Sequence, residues 1–79
     1  MFQVVRLELN ERNELIRRTV LQPFFELRDD ALAMAEFDAS YCWGEYGYDI
    51  DRDCWWATDE RGNRFRFFVE PTTEIATAA

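Results

Sequence analysis

Apolar and polar residues alternate on both sides of a short polar segment between positions 54 and 70, which predicts a β-hairpin. The connecting segment begins with Asp59, which suits the first position of a type I turn, and ends with Gly62, which tolerates a positive φ. This combination predicts a three-residue loop closed by a glycine bulge. If Asp59 faces Asn63, the register pairs Thr58 with Arg64, Ala57 with Phe65, Trp56 with Arg66, Trp55 with Phe67, and Cys54 with Phe68.

The register divides the side chains of the hairpin between two faces, because successive residues of a strand point to opposite sides of the sheet. We assign one face to the hydrophobic core, and its residues are Trp55, Ala57, Phe65, Phe67 and Val69. The other face mixes aromatic and cationic side chains, and its residues are Cys54, Trp56, Thr58, Arg64, Arg66 and Phe68.

The first part of the chain predicts two more strands. Residues Phe2 to Leu9 alternate in the same way, and a polar turn follows them. The segment from Glu14 to Leu21 fits either a strand or a helix, but its β-branched residues and the short preceding turn favour a strand that pairs with the first one. We expect Pro23 to end this element, because proline removes a backbone donor.

Residues 28–42 predict a helix that runs from Arg28 to Cys42. Alanines give the segment good helix propensity, acidic residues in its first turn favour the positive end of the helix dipole, and Gly44 is expected to stop it. One stripe of the helix carries mainly small or apolar residues, namely Ala31, Met34, Ala35, Tyr41 and Cys42.

Asp38 falls in the middle of that stripe. A carboxylate on an apolar stripe must reach the rim of the core, find a partner or stay protonated. We expect a structural partner for Asp38, either an arginine such as Arg6 or Arg17 or a Tyr or Trp donor. Anchoring of a ligand is the alternative.

The elements add up to an α+β fold. A loop and a short third strand containing Tyr46 and Tyr48 connect the helix to the hairpin, so that the predicted order is ββαβββ. This order indicates an antiparallel β-sheet with one α-helix packed on one face. Residues 1–70 are predicted to form a single compact domain, and residues 71–79 a short flexible tail.

Composition narrows the possible partners. Nine arginines, no lysine and sixteen acidic residues give a net charge of −7, which argues against nucleic acid as a partner because binding to phosphates needs clustered cations. No stretch approaches the roughly 20 apolar residues of a membrane helix. The N-terminus lacks the pattern of a signal peptide, so a cytoplasmic protein is expected. Cys42 and Cys54 are expected to be reduced thiols.

Catalytic residues are scarce. The chain has no histidine, no lysine and one serine, so Ser-His and Cys-His pairs and a lysine Schiff base are excluded, and we expect no enzyme. Four acidic residues, Asp49, Asp51, Asp53 and Glu60, have the ligand spacing of a calcium-binding EF-hand loop. Cys54 stands where that loop requires glycine, and a strand rather than a helix follows. We therefore expect neither a metal nor another cofactor.

A non-enzymatic protein-contact module fits these features best. We predict a homodimer or another protein complex, formed through the face with Trp56, Arg64, Arg66 and Phe68, because exposed apolar patches mark contact sites and Trp and Arg are enriched at hot spots. An exposed edge strand is a second route, and Phe2 to Leu9 carries neither the Pro nor the Lys that normally blunts an edge.

Two other functions remain open. The first is binding of a small molecule or a peptide in an aromatic pocket formed by Asp38, Tyr46, Tyr48 and Trp55, with Trp56 nearby. The second is an acidic mimic of nucleic acid that blocks a DNA-binding partner, which the net charge of −7 permits.

Overall fold

A computed structural model describes residues 1–72 of the chain as five strands and one helix in the predicted order. The elements are β1 (Phe2–Leu9), β2 (Leu15–Phe25), α1 (Arg28–Ser40), β3 (Tyr46–Asp49), β4 (Cys54–Thr58) and β5 (Arg64–Pro71). All strands belong to one antiparallel sheet with the order β2-β1-β5-β4-β3, and the α+β prediction is confirmed.

The β4–β5 hairpin has the predicted register. Trp55 pairs with Phe67, Trp56 with Arg66, Ala57 with Phe65, and Thr58 with Arg64. In the loop, the N–H of Asp59 donates to the carbonyl oxygen of Asn63 at 3.1 Å, and Gly62 has a φ of 83°. A residue with a side chain is strained at this φ, so glycine is the residue that lets the loop close in three positions.

The position of β1 corrects one prediction. Phe2 to Leu9 is not an edge strand, because β1 pairs with β2 on one side and with β5 on the other. Among residues 1–72, the edge strands of the sheet are β2 and β3. The strand that covers β1 lies about 60 residues further along the chain, and a local pattern of alternation carries no information about so distant a partner.

The second element is a strand, as favoured, but it does not end at Pro23. β2 continues to Phe25 through a cis peptide bond between Gln22 and Pro23, and its pairing with β1 is irregular between Leu21 and Phe25. Proline has no backbone N–H to donate. It is tolerated here because β2 is an edge strand and its pairing with β1 is irregular in this segment.

The core lies between α1 and one face of the sheet. Ala31, Ala35 and Ala39 are buried along the helix, and their small side chains pack against Val4, Ala57 and Phe67. Trp55, Phe65 and Val69 pack around this cluster, so all five hairpin residues assigned to the core lie on the helix side. Tyr41 was expected to add bulk to the stripe, but it lies beyond the end of α1 and is exposed.

The end of β5 reaches into the segment predicted to be a tail. Pro71 is the last residue of the strand, and Thr72 is buried and donates its N–H to the carbonyl oxygen of Met1 at 3.0 Å. These two residues therefore belong to the packed domain. The remainder of the predicted tail, residues 73–79, lies outside the described residues.

Candidate functional site

The side of the sheet that faces away from α1 is called the back face below. Cross-strand partners share a face, so the pairing places the following residues there: Gln3, Val5, Leu7 and Leu9 of β1, Leu15, Arg18 and Val20 of β2, Gly47 and Asp49 of β3, Cys54, Trp56 and Thr58 of β4, and Arg64, Arg66, Phe68 and Glu70 of β5. No helix or strand of residues 1–72 lies over this face. The four residues predicted to form a contact surface, Trp56, Arg64, Arg66 and Phe68, are all among them.

These four side chains are not equally accessible. Arg64 is exposed, whereas Trp56, Arg66 and Phe68 are half-buried. Phe68 lies opposite Val5, which is 2 % exposed, so the back face has a small buried centre of its own. The exposed apolar residues of the same face belong to β2, where Leu15 pairs with Leu9 and Val20 pairs with Val5.

Trp56 leans toward the β3 edge. A Cβ atom built on Gly47, its partner in β3, would lie 3.0 Å from the indole ring, so the ring covers this glycine. Arg66 reaches toward the same edge, with its guanidinium 3.9 Å from a carboxylate oxygen of Asp49. Cys54 lies beneath these groups and is 1 % exposed; burial raises the pKa of its thiol, and Arg66 opposes the rise.

The two ends of β5 carry opposite charges on the back face. At one end, Arg64 donates to the side-chain oxygen of Asn13 at 2.8 Å. At the other end, Glu70 accepts hydrogen bonds from Arg18 at 2.8 Å and from Gln3 at 3.1 Å. The Glu70 side chain remains 40 % exposed, so it can accept a further partner.

The aromatic residues predicted to line a ligand pocket lie on the opposite side, beside the helix. The ring centroid of Trp55 is 5.4 Å from that of Tyr48 and 6.3 Å from that of Tyr46. Trp55 and Tyr48 line an open groove of about 420 Å³ along the outer side of α1. The Tyr48 hydroxyl donates to Asp53, which raises the pKa of Tyr48 and lowers the pKa of Asp53, and Asp53 also accepts from Arg28 at 2.7 Å.

Asp38 does not join this aromatic cluster, so the predicted four-residue pocket is wrong in its composition. The helix lies over the middle of the sheet, and Asp38 belongs to a different groove of about 380 Å³ on the β1–β2 side. Arg6 lines this groove, as do Met34, Tyr41 and Phe67. A pocket prediction based on residue types alone could not separate the two sides of the helix.

The electrostatic state of Asp38 is unusual for a residue of a small core. Its Oδ2 atom is buried and accepts no hydrogen bond within residues 1–72. Burial raises the pKa of Asp38, and the positive charge of Arg6 opposes that rise. The expected structural partner is not found: no arginine nitrogen in the described part of the chain lies within 4.0 Å of the Asp38 carboxylate, and no Tyr or Trp there donates to Oδ2.

One exposed aromatic patch was not anticipated. Phe37 and Tyr41 have ring centroids 4.6 Å apart at the end of α1, and Trp43, which follows them, is 77 % exposed with a φ of 69°. Phe37, Tyr41 and Trp43 come shortly before Gly44 in the sequence and could have indicated this patch. The helical pattern instead assigned Tyr41 to the apolar stripe.

Two of the four acidic residues with EF-hand spacing are engaged by neighbouring side chains. Asp49 accepts hydrogen bonds from Arg52, which lower its pKa, and Asp53 is held by Tyr48 and Arg28. Among residues 1–72, no group of three or more His, Cys, Asp or Glu side chains could hold a metal ion. Cys42 and Cys54 are free thiols.

No family model, no curated protein and no solved structure matches the chain. In the described part of the chain, no helix has the length and apolar character needed to cross a membrane. Any functional inference therefore rests on the geometry of this chain alone.

Proposed function

We propose that the protein is a non-enzymatic interaction module that forms a homodimer by stacking the back faces of two copies. The observation that carries the proposal is the order of side chains along β5 on this face: Arg64, Arg66, Phe68 and Glu70. Along β5 the side chains change from positively charged through apolar to negatively charged. A second copy of β5 that runs in the opposite direction therefore places its glutamate opposite the first arginine.

A two-fold axis perpendicular to β5, in the plane between two stacked sheets, makes the two β5 strands antiparallel. Arg64 of one copy then lies opposite Glu70 of the other copy, and Arg66 lies opposite Phe68. Each contact occurs twice, as in every isologous interface. Stacked sheets are about 10 Å apart, a distance that arginine and glutamate side chains bridge from both sides.

Apolar side chains supply the hydrophobic part of such an interface. Trp56 and Phe68 lie near its centre, and Leu15 and Val20 extend it toward β2. Trp, together with Arg, is the residue type most enriched among interface hot spots. A shallow depression of about 280 Å³ between Trp56, Arg64 and Arg66 offers a recess for a side chain of the second copy.

The charge distribution favours this face over the helix side. The chain carries a net charge of −7, so two copies repel each other on average. The back face concentrates Arg18, Arg64 and Arg66, whereas the first turn of α1 carries Asp29 and Asp30. Asp49 and Glu70 lie on the same face and balance two of the three arginines, so contact through this face opposes surfaces with little net charge.

A charge-swap series measured by sedimentation equilibrium tests the dimer. We expect a dimer of the wild-type chain at micromolar concentration, a monomer for Arg64→Glu and for Glu70→Arg, and a restored dimer for the double variant, because only the double variant recreates both opposite-charge pairs. Arg61→Glu makes the same charge change in the hairpin loop and should leave the dimer intact. Far-ultraviolet circular dichroism verifies that each variant is folded.

A wild-type chain that remains monomeric at high micromolar concentration would overturn the proposal. So would a double variant that does not recover self-association although both single variants are folded monomers.

A further inference from the structure

The groove on the β1–β2 side of α1 combines two opposite charges with an apolar floor. Asp38 contributes a carboxylate from the helix, and Arg6 contributes a guanidinium from β1, the strand next to the β2 edge. The side chains of Leu21, Met34 and Phe67 form the apolar part of the lining, and Tyr41 borders the groove at the end of the helix. The volume of about 380 Å³ lies at the lower end of the range of roughly 300–1,000 Å³ that is typical of ligand pockets.

The Asp38 carboxylate lacks the partner that its position demands. A buried polar atom without a hydrogen bond costs about 1–3 kcal/mol, and more when it is charged. Oδ2 of Asp38 is such an atom, and nothing in residues 1–72 donates to it. An apolar residue at this position would avoid the cost and an asparagine would avoid its charged part, so the ionisable group stands here at the expense of stability, which is the pattern of functional sites rather than of cores.

The charges of Arg6 and Asp38 are opposite, but the two side chains do not form an ion pair. Arg6 lines the same groove and acts on Asp38 through its charge, yet the two side chains are not within 4.0 Å of each other among the described ion pairs. Two opposite charges that line one groove without neutralising each other are complementary to a ligand that itself carries both charges.

We propose that this groove binds a free α-amino acid with an apolar side chain. The ammonium group of the ligand pairs with the carboxylate of Asp38, and its carboxylate accepts from Arg6. The apolar side chain lies over Phe67, Met34 and Leu21. The groove volume suits one amino acid rather than an extended peptide.

This site does not depend on the proposed homodimer. Arg6 and Phe67 belong to the helix side of the sheet, whereas the proposed dimer interface is the back face. Failure of the dimer leaves the groove as it is, and failure of amino-acid binding leaves the back face as it is.

Isothermal titration calorimetry with three related compounds tests the ligand class. L-Leucine carries both charges, 4-methylpentanoate lacks the ammonium group, and 3-methylbutylamine lacks the carboxylate. We expect saturable binding of L-leucine and at least about tenfold weaker binding of each single-charge compound, because hydrogen bonds to charged groups are worth about 1.5–3 kcal/mol each.

Two variants assign the charges to their residues. Asp38→Asn should weaken L-leucine binding about tenfold or more, and Arg6→Gln should do the same. Glu36→Gln is the matched control for Asp38→Asn, because Glu36 lies on the same helix but faces the other groove, and it should bind as the wild type does.

Alkylation of cysteine provides a readout that is independent of heat. Cys42 lines the groove and is half-buried, whereas Cys54 is buried on the back face. Saturating L-leucine should slow the alkylation of Cys42 several-fold and leave Cys54 unchanged. The proposal is overturned if L-leucine and L-phenylalanine give neither saturable heat nor protection of Cys42, or if 3-methylbutylamine binds as tightly as L-leucine.

Discussion

Phe67 and Phe68 are neighbours in β5, yet they belong to two different environments. Phe67 points toward α1 and is 1 % exposed, packed with Val4, Ala31, Ala35, Ala39 and Ala57. Phe68 points to the back face and is half-buried against Val5. The difference arises from the second layer: a helix covers one face of the sheet, and no helix or strand of residues 1–72 lies over the other face. A partner stacked on the back face would therefore bury Phe68 more fully.

The largest expected effect is on the helix side. Phe67→Ala removes the largest side chain of the buried cluster and leaves a cavity beneath the alanine stripe, so we expect a loss of about 3–5 kcal/mol of unfolding free energy. A domain of 79 residues has little stability to spare, so the variant should be largely unfolded at 37 °C by circular dichroism and urea titration. A folded variant with an unchanged urea midpoint would contradict the assignment of this face to the core.

The second largest effect on stability is expected in the hairpin loop, because the loop conformation determines which side chains of the hairpin face the helix. Gly62→Ala forces a side chain into a φ of 83°, and we expect a loss of about 1–2 kcal/mol in urea unfolding. Glu60→Ala, in the same exposed loop, is the control and should change stability little. If both variants unfold at the wild-type midpoint, the loop does not determine the register.

The back face is expected to respond to a substitution in a different way. Phe68→Ala removes a half-buried side chain, so we expect a cost of about 1 kcal/mol to the folded monomer and a much larger effect on self-association. Sedimentation and urea unfolding of the same variant separate the two quantities. A loss of stability as large as that of Phe67→Ala would show that Phe68 is packed like a core residue and that the two faces of the sheet do not differ.

The smallest effect concerns Asp38 and has the opposite sign. Burial raises its pKa in the folded protein, so the folded state holds the Asp38 proton more tightly than the unfolded chain does. The stabilisation that this provides is fully present below the ordinary pKa of an aspartate and is lost as the pH rises through the raised value. Asp38→Asn should therefore raise the melting temperature at neutral pH.

Melting temperature measured against pH checks this sign. The advantage of Asp38→Asn should shrink as the pH falls below the range in which Asp38 ionises. Both proteins should lose stability on further acidification, because hydrogen bonds from Asn63 lower the pKa of Asp59 and its contribution disappears as the pH falls through that lowered value. A variant less stable than the wild type at neutral pH would show that ionised Asp38 stabilises the fold.

The candidate sites were predictable to different degrees. The back-face residues Trp56, Arg64, Arg66 and Phe68 follow from turn chemistry and alternation within one hairpin, and the pairing that brings them together is the one observed. Asp38 could be singled out as a misfit on an apolar stripe. Its groove could not be predicted, because the partner Arg6 comes from a strand 32 residues earlier and the expected aromatic neighbours lie across the helix.

The sequence by itself determined the local features of this protein: the strands, the helix, the glycine-bulge loop and the division of the hairpin into two faces. These features depend on backbone conformation and on interactions between residues close together in the chain, so the local sequence is enough to specify them. Only the tertiary structure decided that β1 lies inside the sheet, that β2 passes through Pro23, and that Arg6 shares a groove with Asp38. Those features arise from contacts between segments far apart in the chain, and no local pattern specifies which distant segment will fill a given edge or groove.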